Sequence, residues 1–262
     1  MRLLATMPDG VRRAILGVLT DIDDTLSTHG RMSSTAYAAM ERLRNAGRLV
    51  IPITGRPAGW CDHIARMWPV DGVVGENGAF YMRHDDASRT LVRRFALDEA
   101  TRRANRARLA AIGERVLAAV PGGALASDQR YRESDLAIDY CEDVAPLPRA
   151  AVDRIVALMQ AEGLTAKVSS IHVNGWFGDF DKLSMTRMML AEVFGIDLDA
   201  ERERFVFVGD SPNDAPMFAY FPNAVGVANV REFADRIATL PAYVTQSEAG
   251  AGFAELAEFL LA

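Results

Sequence analysis

The chain has 262 residues, 50% of them hydrophobic and 24% charged, and its formal net charge is −6. This length and hydrophobic content are enough for one large or two modest domains with a sizeable core. The negative charge argues against nucleic acids and anionic membranes as partners, and no apolar stretch is long enough to span a bilayer.

The two cysteines, Cys61 and Cys141, have no spacing typical of a metal or redox site. Reduced thiols in a cytosol are the usual state of such cysteines. The segment Met1–Leu4 is too short to supply the apolar region of a signal peptide. We therefore expect a cytoplasmic protein.

The first strong signal is the stretch 15–26, where an apolar run of strand length leads directly into Asp21, Asp23 and Asp24. Such a run predicts a buried central strand of a parallel sheet, with the carboxylates at its carboxyl end, where open α/β sheets bind ligands. Three neighbouring negative charges repel one another, and a hard cation such as Mg²⁺ would relieve that repulsion. The alternative is a solvated acidic turn.

The second predicted strand, 49–53, ends in Thr-Gly-Arg-Pro at positions 54–57. The proline suits the first turn of a helix, and the i, i+4, i+7 spacing predicts an apolar face formed by Trp60, Ile64 and Met67. A threonine hydroxyl beside a helix N-terminus can bind phosphate, because free N–H groups and the helix dipole both favour an anion. The alternative is that this threonine only caps the helix.

The pattern changes after Glu76-Asn77-Gly78, which predicts a hairpin turn. Strands are predicted at 79–82, 90–95, 135–141 and 164–176, around helices at 98–120 and 148–162. Strands clustered around two helices indicate an α+β unit with an antiparallel sheet. We therefore predict a second domain at 82–178, inserted into a first domain formed by 1–81 and 179–262.

The βα rhythm resumes with a helix ending at Phe194 and a strand at 203–208, which is followed by the segment Gly209–Asp214. Strands joined by such crossovers lie side by side, so Asp210 and Asp21 are expected to reach one metal ion. Ser, Pro and Asp at 211, 212 and 214 also fit a capping box, which is the structural alternative for Asp214.

Lysine occurs only at positions 167 and 182, whereas all the other members of the 29 Lys+Arg residues are arginines. A compact ammonium differs from a planar guanidinium in what it can contact, so a lysine retained at position 182 suggests a required role. The alternative is chance, since Lys167 has no evident role.

These segments resemble the four motifs of the haloacid dehalogenase superfamily, in the order of that superfamily: Asp21-Ile22-Asp23-Asp24-Thr25-Leu26, Thr54-Gly55-Arg56, Lys182, and Gly209-Asp210-Ser211-Pro212-Asn213-Asp214. The Glu76-Asn77-Gly78-Ala79 segment, followed by an insertion, resembles subfamily IIB, which has a large α/β cap. That subfamily includes Cof-type phosphatases, sucrose-, trehalose- and mannosylglycerate-phosphate phosphatases, and eukaryotic-type phosphomannomutases. Asp24 departs from the pattern, because many members have glycine there.

The resemblance implies an α/β fold: a Rossmann-like parallel-sheet core with an inserted α+β cap. It also implies a Mg²⁺-dependent phosphatase that hydrolyses a small phosphorylated metabolite, such as a sugar phosphate, through an aspartyl-phosphate intermediate. Asp21 would attack phosphorus, and Asp23 would protonate the leaving group and then activate water.

The same resemblance implies the binding residues of the core. The implied Mg²⁺ ligands and their support are Asp21, Asp23 through its carbonyl, Asp210 and Asp214. The implied phosphoryl-binding residues are Thr54, Gly55, Arg56, Lys182 and Asn213. Catalysis would rest on in-line positioning and on neutralising oxygen charge.

The inserted segment is expected to select the substrate. Its candidate residues fall into two sets: Arg130, Arg132, Glu133 and Asp139 lie on or beside one strand segment, and His172, Asn174 and Trp176 alternate along another. The second set alternates and therefore shares one face, whose polar and aromatic groups suit a sugar. The alternative is that the tryptophan belongs to the core and the rest to the surface.

Two other functions are compatible with the motifs. A phosphosugar mutase would need a second phosphate site, which Arg130 and Arg132 could provide. A non-catalytic ligand-binding module on the same fold would need no nucleophile, so the intact Asp21, Asp23, Lys182 and Asp210 weigh against this alternative. Neither the sugar nor the oligomeric state follows from the sequence.

Overall fold

The structure is a computed structural model that describes residues 1–262. Its α-helices are α1 Asp9–Ala14, α2 Ser34–Asn45, α3 Ala58–Met67, α4 Glu99–Ala119, α5 Arg149–Ala161, α6 Lys182–Phe194, α7 Leu198–Glu201, α8 Ala215–Tyr220 and α9 Ala249–Leu261. None of these helices combines the length and the apolar character needed to cross a membrane.

The strands are β1 Arg2–Leu3, β2 Gly17–Thr20, β3 Ser27–Thr28, β4 Arg31–Met32, β5 Leu49–Pro52, β6 Val73–Gly75, β7 Phe80–Asp85, β8 Thr90–Phe95, β9 Ala124–Leu125, β10 Asp135–Asp139, β11 Thr165–Val168, β12 His172–Trp176, β13 Phe205–Gly209, β14 Val225–Gly226 and β15 Tyr243–Val244. Short 3₁₀ turns that matter for the site lie at Glu76–Gly78, Pro212–Asp214 and Ala228–Phe233.

A six-stranded parallel sheet forms the centre of the molecule, in the order β1-β15-β14-β13-β2-β5. Every residue of β2 and β13 is buried, which explains why both strands are continuous apolar runs. The register pairs Val208 with Thr20 and Thr20 with Pro52, so the three strands end together. The predicted parallel sheet built from both ends of the chain is confirmed.

Helices cover both faces of this sheet. On one face Val18 and Val206 belong to a cluster that includes apolar side chains of α2, α3 and α9. On the other face Leu19 and Phe207 belong to a cluster that includes those of α6 and α8. Successive residues of each strand therefore bury opposite faces, as the pleat requires.

Pro52 is tolerated in β5 because its nitrogen, which has no hydrogen to donate, faces away from β2. Residues 49, 51 and 53 of this segment face β2, as shown by the bonds from the Leu49 and Ile53 N–H groups to Leu16 and Thr20. The nitrogen of Pro52 faces the other side, where the short strand β6 approaches only through the bridge between Ile53 and Val74. No ladder bond to β2 is lost.

A separate four-stranded antiparallel sheet has the order β11-β12-β10-β9, and α4 and α5 pack on it. Val173 of β12 is buried in the cluster beneath these helices, whereas its neighbours His172 and Asn174 point to the opposite face. The hairpin β7–β8 instead continues from β6 and packs beside α3. We call residues 98–178 the inserted unit.

The predicted apolar face of the helix after Pro57 is partly wrong. Ile64 is buried, but Trp60 and Met67 are exposed. The buried face of α3 is formed with small side chains, Ala58, Cys61 and Ala65, which bring the helix close to β6. Because that approach leaves no room for bulky groups, the larger residues lie on the outer surface.

The turn after β6 is held in place by Gly78, whose φ is +107°. A Cβ added there would overlap the carbonyl oxygen of Asp181, which immediately precedes α6. Gly163 also has positive φ, +82°, but a Cβ there would meet nothing within 4 Å. The two glycines therefore separate the cost of backbone strain from the cost of the contact.

We expect Gly78→Ala to lower the free energy of unfolding by roughly 3 kcal/mol or more, and Gly163→Ala by about 1 kcal/mol. Denaturant unfolding of both variants measures the difference. Equal losses for the two variants would show that the contact with Asp181 is unimportant.

Candidate active site

Three buried carboxylates meet at the carboxyl edge of the parallel sheet. Asp21 follows β2 and Asp210 follows β13, the neighbouring strand, while Asp214 lies in the 3₁₀ turn after it. One oxygen from each carboxylate lies within 4.8 Å of the other two. The sequence prediction that Asp21 and Asp210 come together is therefore realised in the structure.

Lys182, the first residue of α6, joins this group from the other face of the site. Its Nζ donates to Asp21 Oδ1 and to Asp214 Oδ1, each at 2.7 Å. The position of the lysine is fixed by a capping box, in which Asp181 accepts from the Ser184 N–H. Burial alone would lower the pKa of Lys182, but the two carboxylates outweigh it and raise that pKa.

The carboxylates of Asp214 and Asp210 differ in how many hydrogen bonds they already accept. Asp214 Oδ2 accepts from the N–H groups of Asp210 and Ser211, so both oxygens of Asp214 are already bonded. Asp210 has only two long contacts, from Thr25 Oγ1 and Asn229 Nδ2, each at 3.3 Å. Asp210 is therefore the carboxylate with most capacity for another ligand.

The electrostatics of the cluster favour a divalent cation. Burial raises the pKa of Asp21 to about 7, with Asp214 adding to the rise and Lys182 opposing it. Burial and the neighbouring carboxylates also raise the pKa of Asp210 well above its ordinary value. One lysine is too little positive charge for three buried carboxylates.

The donor set fits Mg²⁺, which prefers a few carboxylate oxygens and keeps its remaining positions for other oxygens. Asp21 and Asp210 could hold the ion, while Asp214, whose oxygens are already bonded, would orient the cluster. The metal-binding role of the Asp23 carbonyl stays a prediction. When bound, Mg²⁺ supplies positive charge against the oxygens of a phosphoryl group.

The Thr54-Gly55-Arg56 segment lies at the end of β5, beside β2. Thr54 is fully buried, and its Oγ1 accepts from the Arg56 N–H at 3.0 Å, as expected for a turn at a helix entrance. Because this oxygen only accepts, the hydroxyl proton of Thr54 could still be donated to a phosphate, as predicted. The hydrogen bond also supports the alternative, in which the threonine shapes the turn.

The Arg56 guanidinium is surrounded by carboxylates. It contacts both oxygens of Asp23, with a shortest distance of 2.7 Å, and Glu142 Oε1 at 2.7 Å. A longer contact of 3.4 Å reaches Asp128, and Trp60 stacks with its ring centroid 4.4 Å from Cζ. In this arrangement Arg56 links Asp23 to the inserted unit, and its role in phosphate binding stays a prediction.

Glu142 itself is held in the charged form. Burial alone would raise its pKa, but the contacts with His172 and Arg56 outweigh burial and lower that pKa to about 2. His172 Nε2 lies 2.9 Å from Glu142 Oε2. Nothing in the sequence around Glu142 or Asp128 marks these residues, because only tertiary packing brings them to Arg56.

Two further contacts close the inserted unit over the sheet edge. Arg132 is fully buried, pairs with Asp128 and Asp135, and donates from Nη1 to the Gly55 carbonyl at 2.8 Å. Glu76 accepts from the Ala58 N–H on the core side and from the N–H groups of residues 133 and 134 on the inserted unit. Both contacts tie the inserted unit to the core segment that follows β5.

Two cavities flank the buried cluster. The Asp24 cavity, about 340 Å³, is bounded by Asp23, Asp24 and Arg56 on one side and by Glu142 and Ser170 on the other. The Lys182 cavity, about 390 Å³, is bounded by a second set that contains both lysines of the chain: Lys182, Lys167, Asn213 and Asn77. Lys167, for which the sequence suggests no role, thus lies near the site but forms no ion pair.

The other residues predicted in the inserted unit have structural partners. Asn174 donates to Asp135 at 2.9 Å, and the carboxylate of Asp139 accepts from the N–H groups of residues 141–143. Trp176 is buried, stacks on Phe180 and donates from Nε1 to the Phe180 carbonyl. The alternative reading of this tryptophan, as a core residue, is the one that the structure supports.

Sequence reasoning missed two residues that hold Asp210. Thr25 lies inside the first motif, so its position was a usable signal. Asn229 had no signal, because it comes from the 3₁₀ turn after β14, where it also donates to the Asp24 carbonyl at 3.0 Å. Only the sheet order brings that turn next to β2.

Comparison with known proteins agrees with this architecture. Residues 18–104 match the family model of haloacid dehalogenase-like hydrolases. The predicted resemblance to this superfamily is confirmed. The matched residues include the first two motifs and the Glu76–Gly78 turn. No curated protein matches the sequence.

Solved structures share the fold over nearly the whole chain. A HAD/COF-like hydrolase from Plasmodium vivax is 17% identical, covers 96% of this chain and 99% of its own, and has a TM-score of 0.68. The sucrose-phosphatase of Synechocystis is 15% identical, with coverage of 93% and 97% and a TM-score of 0.63. A subclass IIB sugar phosphatase is 14% identical, with coverage of 92% and 97% and a TM-score of 0.60.

The two contacts of Lys182 generate a prediction for Lys182→Arg. A planar guanidinium cannot occupy the point that is 2.7 Å from both carboxylates without displacing one of them. We expect kcat to fall by about a hundredfold, because small misplacements at a reacting centre have effects of that size.

The measurement is kcat with an aryl phosphate, with thermal unfolding as a check of folding. Lys167→Arg is the matched control and should retain its activity, since Lys167 is exposed and unpaired. An undiminished kcat for Lys182→Arg would contradict the argument.

The raised pKa of Asp21 predicts a link between metal and proton binding. In the metal-free protein a carboxyl group with a pKa of about 7 is largely protonated at pH 6, and a metal ligand must be deprotonated. Mg²⁺ should therefore release more protons at pH 6 than at pH 8, and its affinity should rise with pH across this range.

Calorimetric titration with Mg²⁺ in buffers of different ionisation enthalpy measures the protons released. Asp21→Asn should reduce the release at pH 6. Metal binding without any proton release would show that the carboxyl groups of the metal-free cluster are already ionised.

Proposed function

We propose that this protein is a Mg²⁺-dependent phosphatase that hydrolyses a small phosphorylated metabolite, a sugar phosphate, through an aspartyl-phosphate intermediate. The observation that carries the proposal is the contact of Lys182 with Asp21 beside Asp210. The contact supports the proposal because the carboxylate assigned as nucleophile, a fixed cation and a carboxylate able to bind a metal lie at one edge of the sheet.

Asp21 has the geometry of a nucleophile. Its Oδ1 accepts from Lys182, while no side chain donates to its Oδ2. We assign Oδ2 the attack on phosphorus, which forms an acyl phosphate as the bond from phosphorus to the leaving oxygen breaks. Lys182 and the hydroxyl of Thr54 would bind the phosphoryl oxygens, and Asn213 reaches the same site from the Lys182 cavity.

Asp23 is assigned the proton transfers. It would give a proton to the leaving alkoxide, and then take one from the water that attacks the acyl phosphate, which releases inorganic phosphate and restores Asp21. In the structure its carboxylate is bonded to Arg56, the form suited to accepting a proton. Donating a proton requires Asp23 to leave this ion pair during the first half of the cycle.

Hydrolysis is favoured over phosphosugar mutase activity by the positions of the two candidate arginines. Arg132 is fully buried and bonded to Asp128 and Asp135. Arg130 stacks on Tyr131 and lies in a groove beside α3 rather than in either cavity of the site. Arg132 is therefore already paired, and Arg130 lies outside the cavities in which a second phosphate group of a substrate would bind.

The remaining parts of the proposal rest on fold and composition. We propose that residues 82–178 act as the cap that selects the substrate, with 1–81 and 179–262 as the catalytic core. The fold is shared with a sucrose-phosphatase and a subclass IIB sugar phosphatase, which supports a sugar phosphate as substrate. Both cysteines are free thiols, which supports a cytoplasmic location.

The test is phosphate release from a panel of sugar phosphates and from p-nitrophenyl phosphate, with Mg²⁺ and after its removal with EDTA. We expect activity only with Mg²⁺ and none in Asp21→Asn, whose amide is isosteric but a poor nucleophile. Asp23→Asn should lose more activity on an alkyl phosphate than on the aryl ester, whose leaving group needs less protonation.

Thermal unfolding of each variant verifies that the fold is intact. Full activity in EDTA would contradict metal dependence, and equal losses on both esters would contradict the role of Asp23. Conversion of a sugar phosphate to its isomer without free phosphate would favour the mutase instead.

A further inference from the structure

We propose that Asp24 is a specificity-determining residue that restricts the substrate to phosphomonoesters of neutral or amine-bearing polyols, and rejects those with a second anionic group. This inference rests on the proposed phosphatase function and adds the charge class of the leaving group. It is carried by the position, charge and backbone conformation of Asp24.

The Asp24 cavity is the one that would receive the leaving group. Asp23, the residue assigned to protonate the leaving oxygen, lines this cavity and does not line the Lys182 cavity. The inserted unit covers it through Glu142 and Ser170. A volume of about 340 Å³ lies within the range of pockets that hold small ligands.

The charge of this cavity is negative. Three carboxylates line it, from Asp23, Asp24 and Glu142, together with the guanidinium of Arg56 and the imidazole of His29. That guanidinium is already paired with two of the three carboxylates, those of Asp23 and Glu142. The Asp24 carboxylate forms no ion pair, so its charge is left to act on whatever enters.

Asp24 has a backbone conformation that costs free energy for any residue with a Cβ. Its φ is +53°, in the left-handed region that favours glycine. Two hydrogen bonds hold this main chain: the Asp24 N–H donates to the Ser27 hydroxyl, and Asn229 Nδ2 donates to the Asp24 carbonyl. A carboxylate at a position that glycine would occupy more readily is consistent with a role for the charge itself.

The consequence follows from the chemistry of a carboxylate. It accepts hydrogen bonds from hydroxyl or ammonium groups, and both are stabilised in a negative, partly dehydrated cavity. A second phosphate or a carboxylate in the leaving group would be repelled by the unpaired Asp24 carboxylate. Such repulsion is a way to reject wrong ligands. Sugar bisphosphates and phosphorylated sugar acids are therefore excluded.

The experiment compares kcat/KM for three hexose derivatives: glucose 6-phosphate, glucosamine 6-phosphate and 6-phosphogluconate. Phenyl phosphates with a para hydroxymethyl, aminomethyl or carboxylate group form a second set that needs no sugar recognition. In each set we expect the wild-type protein to use the anionic member at least about tenfold less well than the neutral one.

The decisive variants are Asp24→Asn and Asp24→Gly. Asparagine keeps the shape and tolerates positive φ, and glycine removes the side chain and the strain together. We expect both to reduce the discrimination against the anionic member by about tenfold. Asp153→Asn, which removes an exposed charge from α5, is the control and should leave the discrimination unchanged.

The outcomes separate this inference from the proposed function. If the wild-type protein releases phosphate but Asp24→Asn and Asp24→Gly keep its full discrimination, the role of Asp24 is overturned and the phosphatase stands. If the wild-type protein prefers the anionic members, the inference is also overturned. No release from p-nitrophenyl phosphate or either set would overturn the proposed function, and this inference with it.

Discussion

The Lys182 ammonium lies between the buried carboxylates of Asp21 and Asp214, and the arrangement of the site depends on that contact. Removing charged groups from water is costly unless they are paired at close range, so the loss of Lys182 would leave both carboxylates without their counter-charge. The contact also spans the chain, since Lys182 and Asp21 are 161 positions apart. It can form only when both ends of the chain enter one sheet.

The surroundings of the lysine explain why its position is precise. The capping box at Asp181 sets the first residue of α6, and Gly78 allows the preceding turn to pack directly against the Asp181 carbonyl. A side chain that begins a helix is held more rigidly than one on a loop, which suits a cation that must stay at a fixed distance from the proposed nucleophile, Asp21. The turn and the helix start thus support the chemistry without contacting a substrate.

Arg56 connects Asp23, the proposed proton-transfer residue, to the inserted unit. One guanidinium contacts Asp23 in the core and Glu142 and Asp128 in the inserted unit. Opening of the inserted unit would remove two of these three carboxylates and leave the arginine with Asp23 alone. Closure and the state of the proposed acid are therefore linked through a single side chain, which is a physical basis for coupling closure to the reaction.

The sequence by itself determined the fold class and the edge of the sheet at which the buried carboxylates meet. Apolar runs that end in carboxylates, such as the one before Asp21, predict buried parallel strands and place Asp210 beside it, because strand burial and crossover geometry are local and general. The shortage of lysine in the composition also singled out Lys182. These inferences need only the residue composition and the order of residues along each strand.

The tertiary structure decided what depends on distant partners. It turned Arg56 toward Asp23 and the inserted unit, and it buried Arg132 where a free phosphate site had been one interpretation. It also brought Asn229 to Asp210 and left Asp24 in its cavity without an ion-pair partner. No local pattern encodes these contacts, because each joins elements whose distance is set by sheet order and by how the inserted unit packs on the core.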